Sequence, residues 1–213
     1  RQPASFCGIL GLKPTYGRIS RFGLTAFASS FDQIGIFSKD IDNMATLFNV
    51  IGGHDSKDST SSRKQIKEFN YNRSDTEKLT IGLPYKLNEN MNIDPDILEC
   101  YNSSIKYFKD KGFKIVDLEM KNLKYAVSVY YILTTAEASS NLSRFDGIRY
   151  GLSLRDSELD SIYVKTKTTG FGEEVKRRII IGTYVLSSGY YDAYYSKAQK
   201  VRKIIKTDFD KVF

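Results

Sequence analysis

Residues 1–35 read RQPASFCGILGLKPTYGRISRFGLTAFASSFDQIG. The stretch has no initiator methionine and no signal-type apolar run, and it looks like the interior of a functional site. Glycines stand at Gly8, Gly11, Gly17, Gly23 and Gly35. That density predicts a backbone that turns tightly, or that a ligand or second strand approaches closely. Pro3 suits the first turn of a helix, where a missing N–H is harmless, so a short helix is predicted over residues 1–10. A strand is predicted within 11–20, broken at Pro14, which cannot donate to a central ladder.

Outward from this stretch, residues 32–39 read as a strand feeding a helix. Asp40 is a good N-cap. Ile41, Met44, Ala45, Phe48 and Ile51 then share one helical face, expected to be core, and Gly52-Gly53 ends the helix. Residues 54–78 are polar and without period, as in a long surface connection. Residues 79–83 (LTIGL) form a buried-type strand. Asp94 and Pro95 open a helix whose apolar face is Ile97, Leu98, Tyr101, Ile105 and Phe108. Gly112 closes it before a strand at 113–118 (FKIVDL). This is a β–α–β unit, so its strands are expected to be parallel with a right-handed crossover. The remainder is predicted helical over 123–142, 157–168, 173–186 and 190–213. The last helix carries Tyr194, Ala198, Val201 and Ile205 on a buried stripe.

Composition narrows the function classes. The chain has 213 residues, 41% hydrophobic and 27% charged, which is globular rather than disordered. No apolar run approaches the roughly 20 residues that span a bilayer, so no membrane partner is expected. The net charge is +7, but the lysines are scattered over helices, which favours a solvated surface over a polyanion site. Cys7 and Cys100 lack metal-ligand spacing and read as unpaired thiols of a reducing cytosol. His54 is the only histidine. That argues against a His-based nucleophile triad and a His-rich zinc site within the chain; no metal site is expected. No phosphate-binding or dinucleotide loop is present. Glu173 and Glu174 diverge by about 100° around a helix and make no acid–base pair. By itself the chain supplies a pocket wall rather than a reactive group.

As a block the opening stretch resembles the amidase signature family, and within it the glutamine-hydrolysing subunits of tRNA-dependent amidotransferases. In that family the nucleophilic serine is followed by a hydrophobic residue and then Arg-x-Pro-Ala, which Arg1-Gln2-Pro3-Ala4 matches. The run from Cys7 to Arg18 matches the continuation shared by many members. Ser20 to Leu24, Phe27 to Gly35, and the motif LSSGYYDAYYSKAQKVRKIIKTDFDKVF at 186–213 resemble the glutamine-hydrolysing branch. The resemblance covers the whole chain and weakens between Ser56 and Lys124.

The resemblance implies an α/β fold. It would be part of the amidase signature fold, with a mixed β-sheet covered by helices on both faces. Residues 1–213 would be a single incomplete domain truncated at both ends. It also implies that the catalytic lysine, cis-serine and nucleophilic serine lie upstream of Arg1. The chain alone would then be inert. Glutamine is the implied substrate, and its α-carboxylate calls for an arginine fork. By motif that residue is Arg178, with Tyr130 as a second contact and Phe27 packing on the side chain; Arg177 and Tyr131 remain alternatives. Arg1 is expected to brace the site by pairing with Asp32. Implied partners are amidotransferase subunits B and C, with Glu-tRNA(Gln) held mainly by the first of these. ATP and Mg are used by that partner, and the setting is cytoplasmic. A stand-alone amidase of another small amide and a non-catalytic amidase-like interaction module are the alternatives.

Overall fold

A computed structural model describes residues 1–66, 79–84 and 93–213. Along the chain run α1 (Gln2–Phe6), β1 (Leu10–Leu12), β2 (Ile36–Ser38), α2 (Ile41–Ile51), β3 (Thr80–Leu83), α3 (Pro95–Asp110) and β4 (Lys114–Asp117). A 3₁₀ turn (Leu123–Tyr125) leads into α4 (Ala126–Leu142), α5 (Leu159–Gly170) and α6 (Glu173–Leu186). A π-helical stretch (Tyr191–Ser196) then runs into α7 (Lys197–Val212). The chain divides into two compact units, Arg1–Asn70 with Ser128–Gln199, and Tyr71–Val127 with Lys200–Phe213.

In the first unit, α1 has Pro3 in its first turn and stops at Phe6. Leu10, expected in the helix, instead starts β1. Gly8 at φ +63° makes the reversal, a conformation glycine adopts without strain. β1 pairs antiparallel with β2, Leu10 opposite Ser38 and Leu12 opposite Ile36. The strand ends two residues before Pro14, as expected. β2 is shorter than the predicted 32–39 because Asp32 closes a turn rather than joining a ladder. Asp40 caps α2, its carboxylate accepting from Asn43 N at 2.7 Å and Asn43 Nδ2 at 2.7 Å. These bonds hold its pKa below the usual carboxylate value.

The apolar face of α2 is core only in part. Ala45 is buried, but Ile41 and Ile51 are exposed. Met44 and Phe48 line a groove of about 660 Å³ with Leu12, Pro14 and Arg18. The segment after α2 is more ordered than its composition suggests. Ser62 N donates to Gly17 O at 2.8 Å, Gly53 N to Arg18 O at 3.0 Å, and Asp58 and Ser61 are buried. Short polar side chains here form turns rather than solvated coil. The rest of the predicted connection, residues 67–78, lies outside the described residues.

α4 is the centre of the unit's core. Leu133, Thr134, Thr135, Ala136, Ala138 and Ser139 are all buried on it. Its hydroxyls enter the core because each bonds back to its own helix: Thr134 Oγ1 to Tyr130 O and Thr135 Oγ1 to Tyr131 O, both at 2.7 Å. Such back-bonding satisfies a buried donor. The small residues let α6 approach closely. A Cβ at Gly182 would stand 1.9 Å from Thr135 O. Where a plain α-helix was predicted from 190, the π-helical stretch intervenes. It coincides with a tyrosine cluster, Tyr184 and Tyr190 at 4.3 Å and Tyr191 and Tyr195 at 5.1 Å between ring centroids.

The second unit is the predicted β–α–β. β3 and β4 pair in parallel, Thr80 opposite Lys114 and Leu83 opposite Asp117. Asp94 caps α3, accepting from Asp96 N at 3.0 Å, and Pro95 occupies the first turn. Gly112, at φ +84°, turns the chain into β4. Phe108 and Phe113 meet edge to face at 5.4 Å. Asn122 Nδ2 donates to Asp208 Oδ2 on α7 at 2.8 Å.

Candidate functional site

The turn at 27–32 is the organising feature. Asp32 closes it, its carboxylate accepting from Phe27 N at 2.9 Å and Ala28 N at 3.1 Å. Ala28 is fully buried beneath it. Three further elements grip the turn. Tyr16 OH donates to Ser29 O at 2.8 Å, and Arg21 Nη1 donates to the same carbonyl at 2.5 Å. From α4, Glu137 takes both Ser30 donors, the backbone N–H at 2.8 Å and the hydroxyl at 2.5 Å. One turn further along α4, Asn141 Nδ2 donates to Phe27 O and Ser29 Oγ, each at 3.1 Å.

Arg21 is itself fixed. Its backbone N–H donates to Asp58 Oδ2 at 2.8 Å and Nη2 donates to Thr60 Oγ1 at 2.9 Å. Its guanidinium lies 4.8 Å from the Tyr16 ring centroid. The Asp58 carboxyl is held below its ordinary pKa, chiefly by the Thr60 hydroxyl and the Arg21 backbone N–H. The turn is therefore tied to residues 55–62 on one side and to α4 on the other.

Against this turn α6 brings Arg178. Its guanidinium sits 5.7 Å from the Phe27 ring centroid, within the range of a cation–π contact. Nε donates to Glu174 Oε1 at 3.0 Å. Among the described residues no acceptor meets its two terminal nitrogens. The Arg178 pKa is raised, first by the Glu174 hydrogen bond, with Tyr130 and Tyr131 adding to it through space. Tyr130 packs edge to face with Phe31 at 6.0 Å and with Tyr131 at 5.4 Å. Arg178 and Phe27, far apart in sequence, thus meet, with Tyr130 and Tyr131 both near enough to act on Arg178 through space.

Arg177 points elsewhere. It pairs with Glu174 Oε2 at 2.6 Å and its side chain is 68% exposed, against 29% for Arg178. Arg1 lies exposed at the start of α1, where its carbonyl accepts from Ser5 N at 3.1 Å. Among the described residues no ion pair joins it to Asp32, whose carboxylate serves the turn. Glu137, Asn141, Arg21 and Glu174 were not singled out as site residues by the sequence. For Glu174 a signal exists, since it precedes Arg178 by the four residues that put two side chains on one helical face. The grip of Glu137 on Ser30, 107 residues away, has no local signal. A pocket of about 490 Å³ beside the turn is lined by Arg21, Phe22, Ser29, Asp32, Lys57 and Arg144 among others. Neither it nor the α2 groove includes Arg178, Tyr130 or Phe27.

The amidase family sequence profile matches residues 1–213, the whole chain. The chain belongs to the amidase family. Among curated amidase relatives, the A-subunit of glutamyl-tRNA(Gln) amidotransferase from Fusobacterium nucleatum is 54% identical over 215 residues. The protein of the same name from Wolinella succinogenes is 52% identical over 214 residues. Both alignments cover all of this chain, which spans 44% and 47% of those relatives. The crystal structure of the A-subunit of glutamyl-tRNA(Gln) amidotransferase from Thermotoga maritima superposes with a TM-score of 0.71 at 34% identity. It is matched by all of this chain, over 41% of its own length. The α/β fold with mixed strand pairing is therefore the amidase fold.

Proposed function

We propose that this amidase chain is the part of a glutamine-hydrolysing amidotransferase subunit that recognises the amino-acid end of glutamine. The seating of Arg178 against the Phe27 ring carries the reading. A carboxylate reaching the terminal nitrogens of Arg178 would be bound by charge-assisted hydrogen bonds. The Nε bond to Glu174 holds the guanidinium plane for that contact. Tyr130 and Tyr131 lie near enough to act on Arg178 through space, and Phe27 covers one face of the fork.

In this reading the nucleophile is a serine outside the chain. Its Oγ attacks the glutamine amide carbon, the C–N bond breaks, and ammonia leaves with a transferred proton. Water then cleaves the acyl ester to give glutamate. The ammonia converts Glu-tRNA(Gln) to Gln-tRNA(Gln) in a complex with subunits B and C, of which the first holds the tRNA and uses ATP and Mg. The names of the amidase relatives support this reading. Among the described residues no cluster of three or more His, Cys, Asp or Glu fits a metal ion. No helix among them is long and apolar enough to cross a membrane.

The experiment is ammonia release by the full-length protein from glutamine and from amides of equal length that lack the α-carboxylate. Preference for glutamine is expected. Equal turnover of the carboxylate-free amides would overturn the reading in favour of a stand-alone amidase.

A further inference from the structure

We propose that Glu137 is a positioning residue of the substrate pocket, holding the 27–32 turn in register with α4 so that Phe27 lies under Arg178 and Phe31 against Tyr130. The inference rests on the glutamine reading above.

Tyr130, Glu137 and Asn141 are spaced by seven and four residues on α4. At 100° per residue they fall within about 40° of one another on a single helical face. One face of one helix therefore supplies a pocket residue and both of the α4 grips on the turn that carries Phe27. Any slide of the turn along α4 would shift Phe27 and Phe31 relative to Tyr130.

A carboxylate is the group this task needs. Ser30 presents two donors, N–H and O–H, and Glu137 meets one with each oxygen, at 2.8 Å and 2.5 Å. A glutamine there has one acceptor oxygen, and its NH₂ would face a donor. Bonds to an ionised acceptor are also the stronger kind. The turn does not need Glu137 in order to exist. Asp32 closes it, while Tyr16 and Arg21 hold Ser29 O. What Glu137 adds is the charged half of the tie to α4, at Ser30, beside the neutral bonds of Asn141. Its loss is expected to loosen the pocket and leave the fold in place.

The test is glutamine-dependent ammonia release by the full-length protein in its amidotransferase complex, with amide transfer from added ammonium chloride measured alongside. Ammonium bypasses the pocket, so it reports whether the fold and the complex survive. Glu137→Ala is expected to raise KM for glutamine about tenfold or more, with kcat within about threefold. Ammonium-driven transfer should be unchanged, and Glu137→Gln should fall between. Ser30→Ala should reproduce the KM shift, and the double variant should be no worse than either single one, as expected for two halves of one interaction. A wild-type KM in Glu137→Ala overturns the proposal. So does an equal fall of ammonium-driven and glutamine-driven transfer, or strict additivity with Ser30→Ala. If the wild-type protein hydrolyses some other small amide in place of glutamine, the glutamine reading fails. The KM of Glu137→Ala for that amide then decides the positioning role by the same criterion.

Discussion

Arg177 and Arg178 are neighbours in sequence and stand about 100° apart around α6. That rotation leaves one in solvent and carries the other over Phe27. The motif alone could not choose between them, because both suit a carboxylate and both lie within reach of Glu174. The choice is made by which face of α6 meets the 27–32 turn, a tertiary fact. Arg178→Ala is expected to raise KM for glutamine by about ten- to a hundredfold, the scale of a lost hydrogen bond to a charged group. Arg177→Ala should leave it within about twofold, as for an exposed ion pair. Steady-state kinetics of the full-length protein check both. The opposite ranking would move the carboxylate contact to Arg177. Glu137 marks where reading from sequence stops. It follows Ala136 and precedes Ala138 in a small-residue helix, and nothing local distinguishes it from a solvated carboxylate. Only the folded chain shows that Ser30 stands opposite.

The elements themselves were largely legible, for local reasons. Asp40, Pro95 and Gly112 act over a few residues, so α2, α3 and the parallel β3–β4 pair followed from caps and periodicity. What escaped was the 27–32 turn and the order in 54–62, where side chain to backbone bonds replace a hydrophobic period. The crossing of α4 and α6 rests on a position with no side chain. Alanine for glycine inside an exposed helix normally stabilises by up to about 1 kcal/mol. At Gly182 the added methyl meets Thr135 O, and the overpacking cost of about 1–3 kcal/mol exceeds that gain. Gly182→Ala should therefore lower the urea midpoint; a raised midpoint would mean that the helices are not in contact there. The loop between α4 and α5 gives a pH prediction. Asp146 is held at about 2 by the Ile148 N–H first and then by Arg149, against about 3.9 in an unfolded chain. A depressed carboxyl pKa stabilises the fold above the unfolded value and loses that effect as pH falls through the folded one. Asp146→Asn should thus be less stable than wild type at pH 7, with the gap closing between about pH 4 and pH 2. A gap that persists at pH 2 would show that the carboxylate charge is not involved.

Over the molecule as a whole, the apolar surface is unevenly covered. Phe6 is 81%, Val50 75% and Ile180 69% exposed, on three different helices, although their neighbours Ala4, Ala45 and Val185 are buried. Singly scattered apolar side chains are ordinary on a protein surface, but the chain spans under half the length of its curated relatives, and additional chain can cover them. Produced alone, the 213 residues should bind a hydrophobic dye such as ANS strongly. A form of the relatives' full length should bind less per residue, and equal binding would show that the additional chain covers none of these residues. The tie between Ser30 and Glu137 has a consequence in time. Its two ends are 107 residues apart, and a ribosome adds about 5–20 residues per second. The turn that carries Phe27 therefore leaves the ribosome roughly 5–20 s before the helix that sets its place. For that interval the turn has no gauge from α4, and Arg178 on α6 arrives later still.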